Sequence, residues 1–153
     1  LIVMANVGLP VCADESKYKP IKLITSMRTT DSLTDDSSYF FSELTRLKFI
    51  VDTIAEDKNY FVILDEILKG TNSTDKAIGS RKFVEKLVGQ NATGIIATHD
   101  LSLTEIEAEL EAVKNYYFDA EIKNDELFFD YKLKKGVCQN MNASFLLKKM
   151  EIV

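Results

Sequence analysis

The stretch NYFVILDEILKGTNSTD, residues 59–75, decides how this chain folds. Within it, residues 61–64 form an unbroken apolar run that is short enough for a strand and offers no polar face to water. Such a run is typical of a strand buried on both sides, as in a parallel sheet covered by helices. Asp65 and Glu66 follow directly, where that strand would end. The stretch therefore predicts two carboxylates at the carboxyl edge of a parallel sheet, where open α/β sheets bind their ligands.

This acidic pair has two interpretations. Two adjacent anions are costly to bury unless a cation or strong hydrogen-bond donors meet them. Four apolar residues followed by Asp and Glu match a Walker B motif, in which Asp65 would hold Mg²⁺ directly or through water. Glu66 would then polarise the water that attacks a nucleotide γ-phosphate. The alternative is a strand that runs into a solvated acidic turn, since short motifs have many false positives.

Length and composition are those of a soluble globular protein with one domain. The chain has 153 residues, of which 46% are hydrophobic and 28% are charged. Its net charge of −5 argues against a large nucleic-acid-binding surface on this segment, because phosphate contacts need a basic face. Cys12 and Cys138 lack metal-ligand spacing and favour a reducing compartment, so we expect the cytoplasm. No apolar run approaches membrane-spanning length, and we expect no membrane contact from this segment.

Helix and strand patterns alternate before the central stretch. Residues 1–7 predict the end of a buried helix. Residues 21–27 alternate apolar and polar side chains and predict a strand with one covered face. The clearest predicted helix follows, with Ser37 or Ser38 as its N-cap. Its apolar stripe recurs at spacings of three and four and consists of Phe40, Phe41, Leu44, Leu47, Val51 and Ile54.

The pattern repeats after the acidic pair. A second helix is predicted to run to Val88, with Ser73 or Thr74 as its cap. Its expected buried residues are Ala77, Ile78, Phe83, Val84 and Leu87. Residues 93–98 predict another short strand. Polar residues again stand at its end, and His99 comes directly after it.

The last third of the chain predicts a different arrangement. Ser102 and Glu105 have capping-box spacing and indicate a helix that ends near Val113. Residues 115–122 and 126–133 then predict a hairpin. Its expected apolar face consists of Leu127, Phe129, Tyr131 and Leu133, and residues 143–150 predict a final helix. The whole pattern indicates an α/β fold with a late antiparallel strand pair.

In this order, the motifs resemble the C-terminal ATPase domain of the MutS mismatch-repair family, a branch of the ABC-type ATPases. Residues 64–75 resemble its Walker B motif and D-loop, and residues 97–99 stand where the family places its switch histidine. Residues 38–44, SYFFSEL, resemble its signature segment, and residues 115–131 its late strand pair. The resemblance covers nearly the whole chain. It implies a P-loop NTPase-like, ABC-type layered sheet with helices on both faces.

The resemblance also implies roles for individual residues, with ATP and Mg²⁺ as cofactors. Asp65 would assist Mg²⁺, Glu66 would activate water, and His99 would reach towards the γ-phosphate. Ser38 would contact that phosphate across a dimer, where a helix N-terminus attracts an anion. The D-loop, facing the partner subunit, would consist of Asn72, Ser73 and Thr74.

Three features depart from the family pattern. The phosphate-cradling pattern G-x-x-x-x-G-K-[ST] does not occur, so we read residues 1–153 as one partial domain that begins after that loop. We expect that this chain alone neither binds ATP tightly nor hydrolyses it. Asp35, Asp36 and Ser37 stand where the family has a glycine and a basic or polar residue. The two carboxylates would repel an incoming phosphate unless they point away or bind Mg²⁺. Lys69 replaces the usual arginine, which keeps the charge but not the planar fork.

The resemblance implies an ATP-binding and ATP-hydrolysing domain of a MutS-like DNA mismatch-repair protein. It would work with a second MutS-type subunit, as a homodimer, and bind DNA through other domains of the full-length protein. Two alternatives stay open at this point. The chain would be the ATPase engine of a paralogue that does not recognise mismatches, or a non-catalytic dimerisation module.

Overall fold

The computed structural model describes residues 1–27, 39–123, 126–139 and 142–152. The chain divides into two compact units, Leu1–Leu103 and Thr104–Val153. A three-stranded parallel sheet lies in the first unit and an antiparallel strand pair in the second. This confirms the mixed α/β class, while the reading of residues 1–153 as one domain stays a prediction.

The elements alternate regularly in the first unit. In chain order they are α1 (Ile2–Asn6), β1 (Lys22–Ser26), α2 (Tyr39–Glu56), β2 (Tyr60–Asp65), α3 (Ser73–Gly89) and β3 (Thr93–Ala97). A 3₁₀ helix, Leu101–Glu105, follows. The elements of the second unit are α4 (Ile106–Glu109), β4 (Tyr116–Lys123), β5 (Glu126–Lys135) and α5 (Asn142–Lys149). No helix within these described ranges is long and apolar enough to cross a membrane.

The parallel sheet has the order β1-β2-β3, so β2 is its central strand. Ser26 at the end of β1 pairs with Leu64, and Asp65 at the end of β2 pairs with Ala97 of β3. Both pairings are parallel, which brings the carboxyl ends of all three strands to one edge. The residues that follow β2 and β3 therefore leave the sheet side by side.

A single apolar cluster supports this sheet. It comprises Ile24, Leu47, Ile50, Val51, Ile54, Val62, Leu64, Ile67, Leu68 and Leu87, contributed by β1, β2, both long helices and the loop after β2. Ile50 and Leu64 have no exposed area. Burying side chains of this size contributes about 1.5–3 kcal/mol each to folding, so the cluster is the main support of the unit.

The buried face of α2 differs from the predicted stripe. Three of its predicted members are buried: Leu47, Val51 and Ile54. Phe41 and Leu44 are exposed, and the fully buried Ile50 was missed. Positions 47, 50, 51 and 54 are separated by three, one and three residues, which is one continuous face at 3.6 residues per turn. The predicted stripe was therefore confirmed at Phe40, which is partly buried and packs against the cluster, but wrong at Phe41 and Leu44. Its proposed caps, Ser37 and Ser38, lie outside the described residues.

Three local predictions about α1 and α3 were also wrong. α1 forms as a helix, but none of its residues is buried. α3 is capped by Asn72, whose side chain accepts a hydrogen bond from the Asp75 N–H at 2.9 Å, rather than by Ser73 or Thr74. Asparagine is a preferred N-cap residue, and at this position its Nδ2 also donates to Asp75 Oδ2, which adds a second bond. Ile78, predicted to be buried on α3, is exposed.

The helix predicted from Ser102 to Val113 is shorter and begins differently. The Ser102 hydroxyl donates to Asp100 Oδ1 at 2.6 Å instead of forming a capping box with Glu105, and the chain first adopts a 3₁₀ turn. α4 then ends at Glu109. Negative side chains near a helix C-terminus oppose its dipole, which explains why this acidic stretch does not propagate further.

The predicted hairpin is confirmed. β4 and β5 pair antiparallel from Tyr116 with Lys135 to Lys123 with Glu126, with one irregularity between Phe118 and Ala120. Along the predicted apolar face Leu127 is half-buried, whereas Phe129, Tyr131 and Leu133 are exposed. The final helix, α5, forms where residues 143–150 predicted it.

Candidate functional site

The acidic pair lies at the carboxyl edge of the parallel sheet, as predicted. Asp65 is the last residue of β2, and the Glu66 N–H still donates to the Ala97 carbonyl of β3 at 2.8 Å. Glu66 then turns the chain out of the sheet with a φ of 49°. Left-handed backbone is uncommon for residues other than glycine and is often found at functional sites.

The Glu66 carboxylate lies between two basic side chains. His99 Nε2 is 3.6 Å from Glu66 Oε1, and Lys69 Nζ is 3.4 Å from Glu66 Oε2. The Glu66 side chain is 24% exposed, whereas the His99 side chain is 96% exposed. The carboxylate is thus held in a half-buried position, and the imidazole projects into solvent where a ligand can reach it. A fixed carboxylate beside a donor is an arrangement that can orient a water molecule and accept its proton.

Asp65 fits a role in holding a divalent cation. It is half-buried, and within the described residues its carboxylate has no hydrogen bond or ion pair. Burying part of a carboxylate without a cation is unfavourable, so the site would gain from one. Mg²⁺ beside a nucleotide usually needs one or two protein carboxylates, with phosphate and water as its other ligands. The oxygen donors of Asp65 and Glu66 suit that ion.

The turn after β3 fixes the backbone on both sides of His99. The Asp100 N–H donates to Thr98 Oγ1 at 3.0 Å, and Asp100 Oδ1 accepts from the Ser102 N–H at 3.0 Å. These bonds hold the chain in a tight polar turn as it leaves the sheet. The backbone on the C-terminal side of His99 is therefore held by side-chain hydrogen bonds.

The predicted D-loop residues lie at the surface. Asn72, Ser73 and Thr74 are all exposed, and Asn72 Nδ2 also donates to Asp75 Oδ2 at 2.6 Å. The reciprocal pair of bonds between Asn72 and Asp75 fixes the start of α3. Among the described residues, no hydrogen bond or ion pair joins these three residues to the acidic pair. Ser38, the predicted signature serine, lies outside the described residues, as do Asp35 and Asp36.

The sequence patterns did not identify one residue that contacts the site. Glu43, on the second turn of α2, accepts hydrogen bonds from the backbone N–H groups of Leu68 and Lys69. These amides belong to the loop that follows the acidic pair. The only signal was the glutamate in the segment SYFFSEL, and nothing in the sequence indicated which atoms it would contact.

Comparison with known proteins decides the family. Residues 1–150 match the family model described as MutS domain V. The chain belongs to the MutS family.

Similar proteins include MutS-type proteins from distant organisms. Human "MutS protein homolog 4" is 33% identical over 98% of this chain and 16% of its own length. "DNA mismatch repair protein MutS" of Fusobacterium nucleatum is 36% identical over 88% of this chain and 15% of its own length. "DNA mismatch repair protein MSH4" of Arabidopsis thaliana is 26% identical over 98% and 19%, respectively. This MutS-family chain therefore spans less than a fifth of the curated relatives it matches.

Proposed function

We propose that this chain supplies the Mg²⁺-dependent ATP-hydrolysing edge of a MutS-like DNA mismatch-repair protein. The observation that carries the proposal is the 3.6 Å distance between Glu66 Oε1 and His99 Nε2. These groups come from the ends of two adjacent parallel strands, which is where open α/β sheets bind nucleotides. Family membership supports the same chemistry through the resemblance of residues 64–75 to a Walker B motif.

In this proposal each side chain has one task. Glu66 orients the attacking water and accepts its proton, while Asp65 holds Mg²⁺ directly or through water. His99 donates to the γ-phosphate, a role that the exposure of its imidazole beside Glu66 supports. Bound Mg²⁺ supplies neutralisation of the negative charge on the phosphate oxygens.

Lys69 has a supporting task. Its ammonium, 3.4 Å from Glu66 Oε2, occupies one carboxylate oxygen and leaves the other facing His99. A lysine does this as a point charge, whereas an arginine would bind both oxygens at once. We therefore expect Lys69 to hold Glu66 with less directional precision than an arginine would.

The proposed working unit is a dimer with a second MutS-type subunit, most simply a second copy of this protein. The exposed residues Asn72, Ser73 and Thr74 would face that subunit, and Ser38 would contact its nucleotide. DNA would be bound by other parts of the full-length protein, with ATP turnover coupled to that binding. Support for the DNA role comes from relatives named DNA mismatch repair proteins.

The proposal is tested by titrating Mg²⁺ against ATP hydrolysis in the full-length protein. Asp65→Asn removes a charged oxygen donor and should raise the Mg²⁺ concentration needed for half-maximal hydrolysis at least about tenfold. Asp52→Asn is the control, since Asp52 is an exposed carboxylate on α2 that pairs with Lys48. A full-length protein that binds ATP but never releases phosphate would refute the catalytic proposal and favour a non-catalytic dimerisation module.

A second candidate concerns the DNA substrate. Two relatives, from human and mouse, are named "MutS protein homolog 4", a name that does not mention mismatch repair. This favours considering a paralogue whose ATPase serves another DNA structure. Equal affinity of the full-length protein for paired and mismatched duplexes would support the paralogue, and preference for the mismatch would support a mismatch-repair role.

A further inference from the structure

The loop that follows the acidic pair has an unusual backbone. Glu66 and Leu68 both have positive φ, 49° and 57°, in the left-handed region that residues with a Cβ seldom adopt. Lys69 follows directly, and both its side chain and that of Glu66 belong to the proposed site. The direction of these two side chains therefore depends on a backbone that is unfavourable on its own and needs external support.

Glu43 provides that support through hydrogen bonds. Its Oε1 accepts from the Leu68 N–H at 2.5 Å, and its Oε2 accepts from the Lys69 N–H at 3.1 Å. Both oxygens of one half-buried carboxylate are thus used on two successive amides. Hydrogen bonds to an ionised carboxylate are roughly twice as strong as neutral ones, and two parallel bonds fix an orientation as well as a distance.

Steric contacts hold the same loop from two sides. A Cβ added at Gly70 would lie 2.8 Å from the Cβ of Phe40, so the loop touches the first turn of α2. A Cβ added at Gly79 would lie 2.7 Å from Leu68 Cδ1, so the Leu68 side chain fills the notch that this glycine leaves on α3. The loop is therefore packed between α2 and α3, and Glu43 adds polar contacts to that packing.

We propose that Glu43 is a positioning residue for the ATPase reaction. It touches neither substrate nor cofactor, but it fixes the backbone that directs Glu66 and Lys69, and so sets the distance of Glu66 from His99. This role rests on the function proposed above. Displacement of a catalytic group by about 1 Å lowers turnover by up to roughly 100-fold, so even a small relaxation of the loop matters.

The test compares four variants of the full-length protein with the wild type, three of them at glutamate positions. Glu43→Ala removes both acceptors, Glu43→Gln keeps one acceptor oxygen in a side chain of the same size, and Glu56→Gln is the control. Glu56 is an exposed carboxylate at the last residue of α2. Hydrogen exchange of the Leu68 and Lys69 amides is measured beside kcat and KM for ATP. We expect Glu43→Ala to lose protection at these two amides and to lower kcat by roughly 10- to 100-fold with KM changed less than twofold.

Glu43→Gln should recover part of both the protection and the kcat, and Glu56→Gln should match the wild type. Ile54→Val separates positioning from simple loss of stability, because Ile54 is buried near the other end of α2. It should lower the unfolding temperature without affecting kcat at temperatures where it is folded.

The results distinguish this inference from the proposed function. Unchanged protection at Leu68 and Lys69 in Glu43→Ala would overturn the inference, as would lost protection with wild-type kcat. A wild type that releases no phosphate from ATP would overturn the proposed function, and with it the reaction that Glu43 is proposed to serve.

Discussion

The carboxyl edge of the parallel sheet and the β4–β5 hairpin differ in how far they bury their apolar and left-handed residues. Both regions are rich in apolar residues, and each contains a residue with a left-handed backbone, Leu68 with φ 57° and Tyr131 with φ 53°. Leu68 is 6% exposed and belongs to the main core, whereas Tyr131 is 83% exposed. An unfavourable backbone is thus enclosed by packing in the first region and lies at the surface in the second.

The difference teaches where fine geometry can be maintained. At the sheet edge, Val62 and Leu64 of β2 are buried in the core, and Glu43 accepts hydrogen bonds from the loop that follows this strand. Along β5, large apolar side chains such as Phe129 and Leu133 remain exposed. A left-handed backbone that is enclosed by packing and hydrogen bonds has fewer alternatives than one at the surface, so positional precision is expected at the sheet edge.

The largest expected effect is in the core under the sheet edge. Ile50→Ala should lower the free energy of unfolding by about 2–5 kcal/mol, because the residue has no exposed area and its removal leaves a cavity. Leu133→Ala, at a 61% exposed hairpin position, should change it by no more than about 0.5 kcal/mol. Urea unfolding of the purified chain measures both. If both variants lost the same free energy of unfolding, Leu133 would contribute as much as a core residue, and the two regions would not differ in this respect.

A smaller difference in stability separates the cost of the left-handed backbone at Leu68 from the cost of lost packing. Leu68→Ala and Leu68→Gly both remove the buried side chain, at a cost of about 2–4 kcal/mol, but only glycine adopts positive φ freely. Leu68→Gly should therefore be more stable than Leu68→Ala by about 0.5–1 kcal/mol. Urea unfolding of the two variants gives the difference. A more stable alanine variant would show that this backbone carries no strain.

Replacing two serines of the first unit by alanine should change the stability of the protein in opposite directions. Ser80 is fully buried on α3, and its hydroxyl has no hydrogen-bond partner among the residues that the structure describes. Ser80→Ala should therefore leave stability unchanged or raise it by up to about 1 kcal/mol. Ser102 donates to Asp100 at 2.6 Å, so Ser102→Ala should lower stability by about 1 kcal/mol. Thermal unfolding compares the two. Destabilisation by Ser80→Ala would indicate that its hydroxyl acquires a partner in solution.

The smallest effect depends on pH. A hydrogen bond from Lys22 lowers the pKa of Asp57, and the same bond raises the pKa of Lys22. The contribution of Asp57 to stability is therefore present above the ordinary carboxyl pKa of about 3.9 and is lost as the pH falls through its lower folded value. That of Lys22 is present below its ordinary pKa and is lost only as the pH rises through its higher folded value.

Asp57→Asn should accordingly lower the unfolding temperature slightly at about pH 7 and have no effect near pH 2. Raising the salt concentration to about 1 M should shrink the difference at neutral pH, because the pair is partly exposed. Calorimetry at the two pH values measures it. An equally large difference at both would mean that the Lys22–Asp57 bond is not its cause.

The sequence predicted the main elements because their signals were local. The apolar run before Asp65 and the helical period around Val51 depend on neighbouring residues alone, and both elements formed. The buried face of α2 and the length of the helix after Ser102 were wrong, since tertiary packing and competing side-chain bonds decide them. No local pattern distinguishes a helix stripe that turns towards solvent from one that stays buried.

The site was predicted in part for the same reason. Glu66 and His99 were expected to leave adjacent strands at one edge, and the structure brings them together. Glu43 lies 25 residues from the amide it binds, so no spacing rule connects them. The left-handed backbone of Leu68 was likewise missed, because leucine gives no sign of positive φ. Long-range contacts that position a site therefore need the folded chain to be seen.

The most direct measurement is single-turnover phosphate release from ATP by the full-length protein with Glu66→Gln, beside direct measurement of ATP binding. Glu85→Gln is the control, since Glu85 is a 45% exposed carboxylate on α3 that pairs with Arg81. If Glu66 activates water, Glu66→Gln should still bind ATP and release phosphate about 10²–10⁴ times more slowly, with Glu85→Gln unchanged. Phosphate release by Glu66→Gln at the wild-type rate would contradict a catalytic role for this edge.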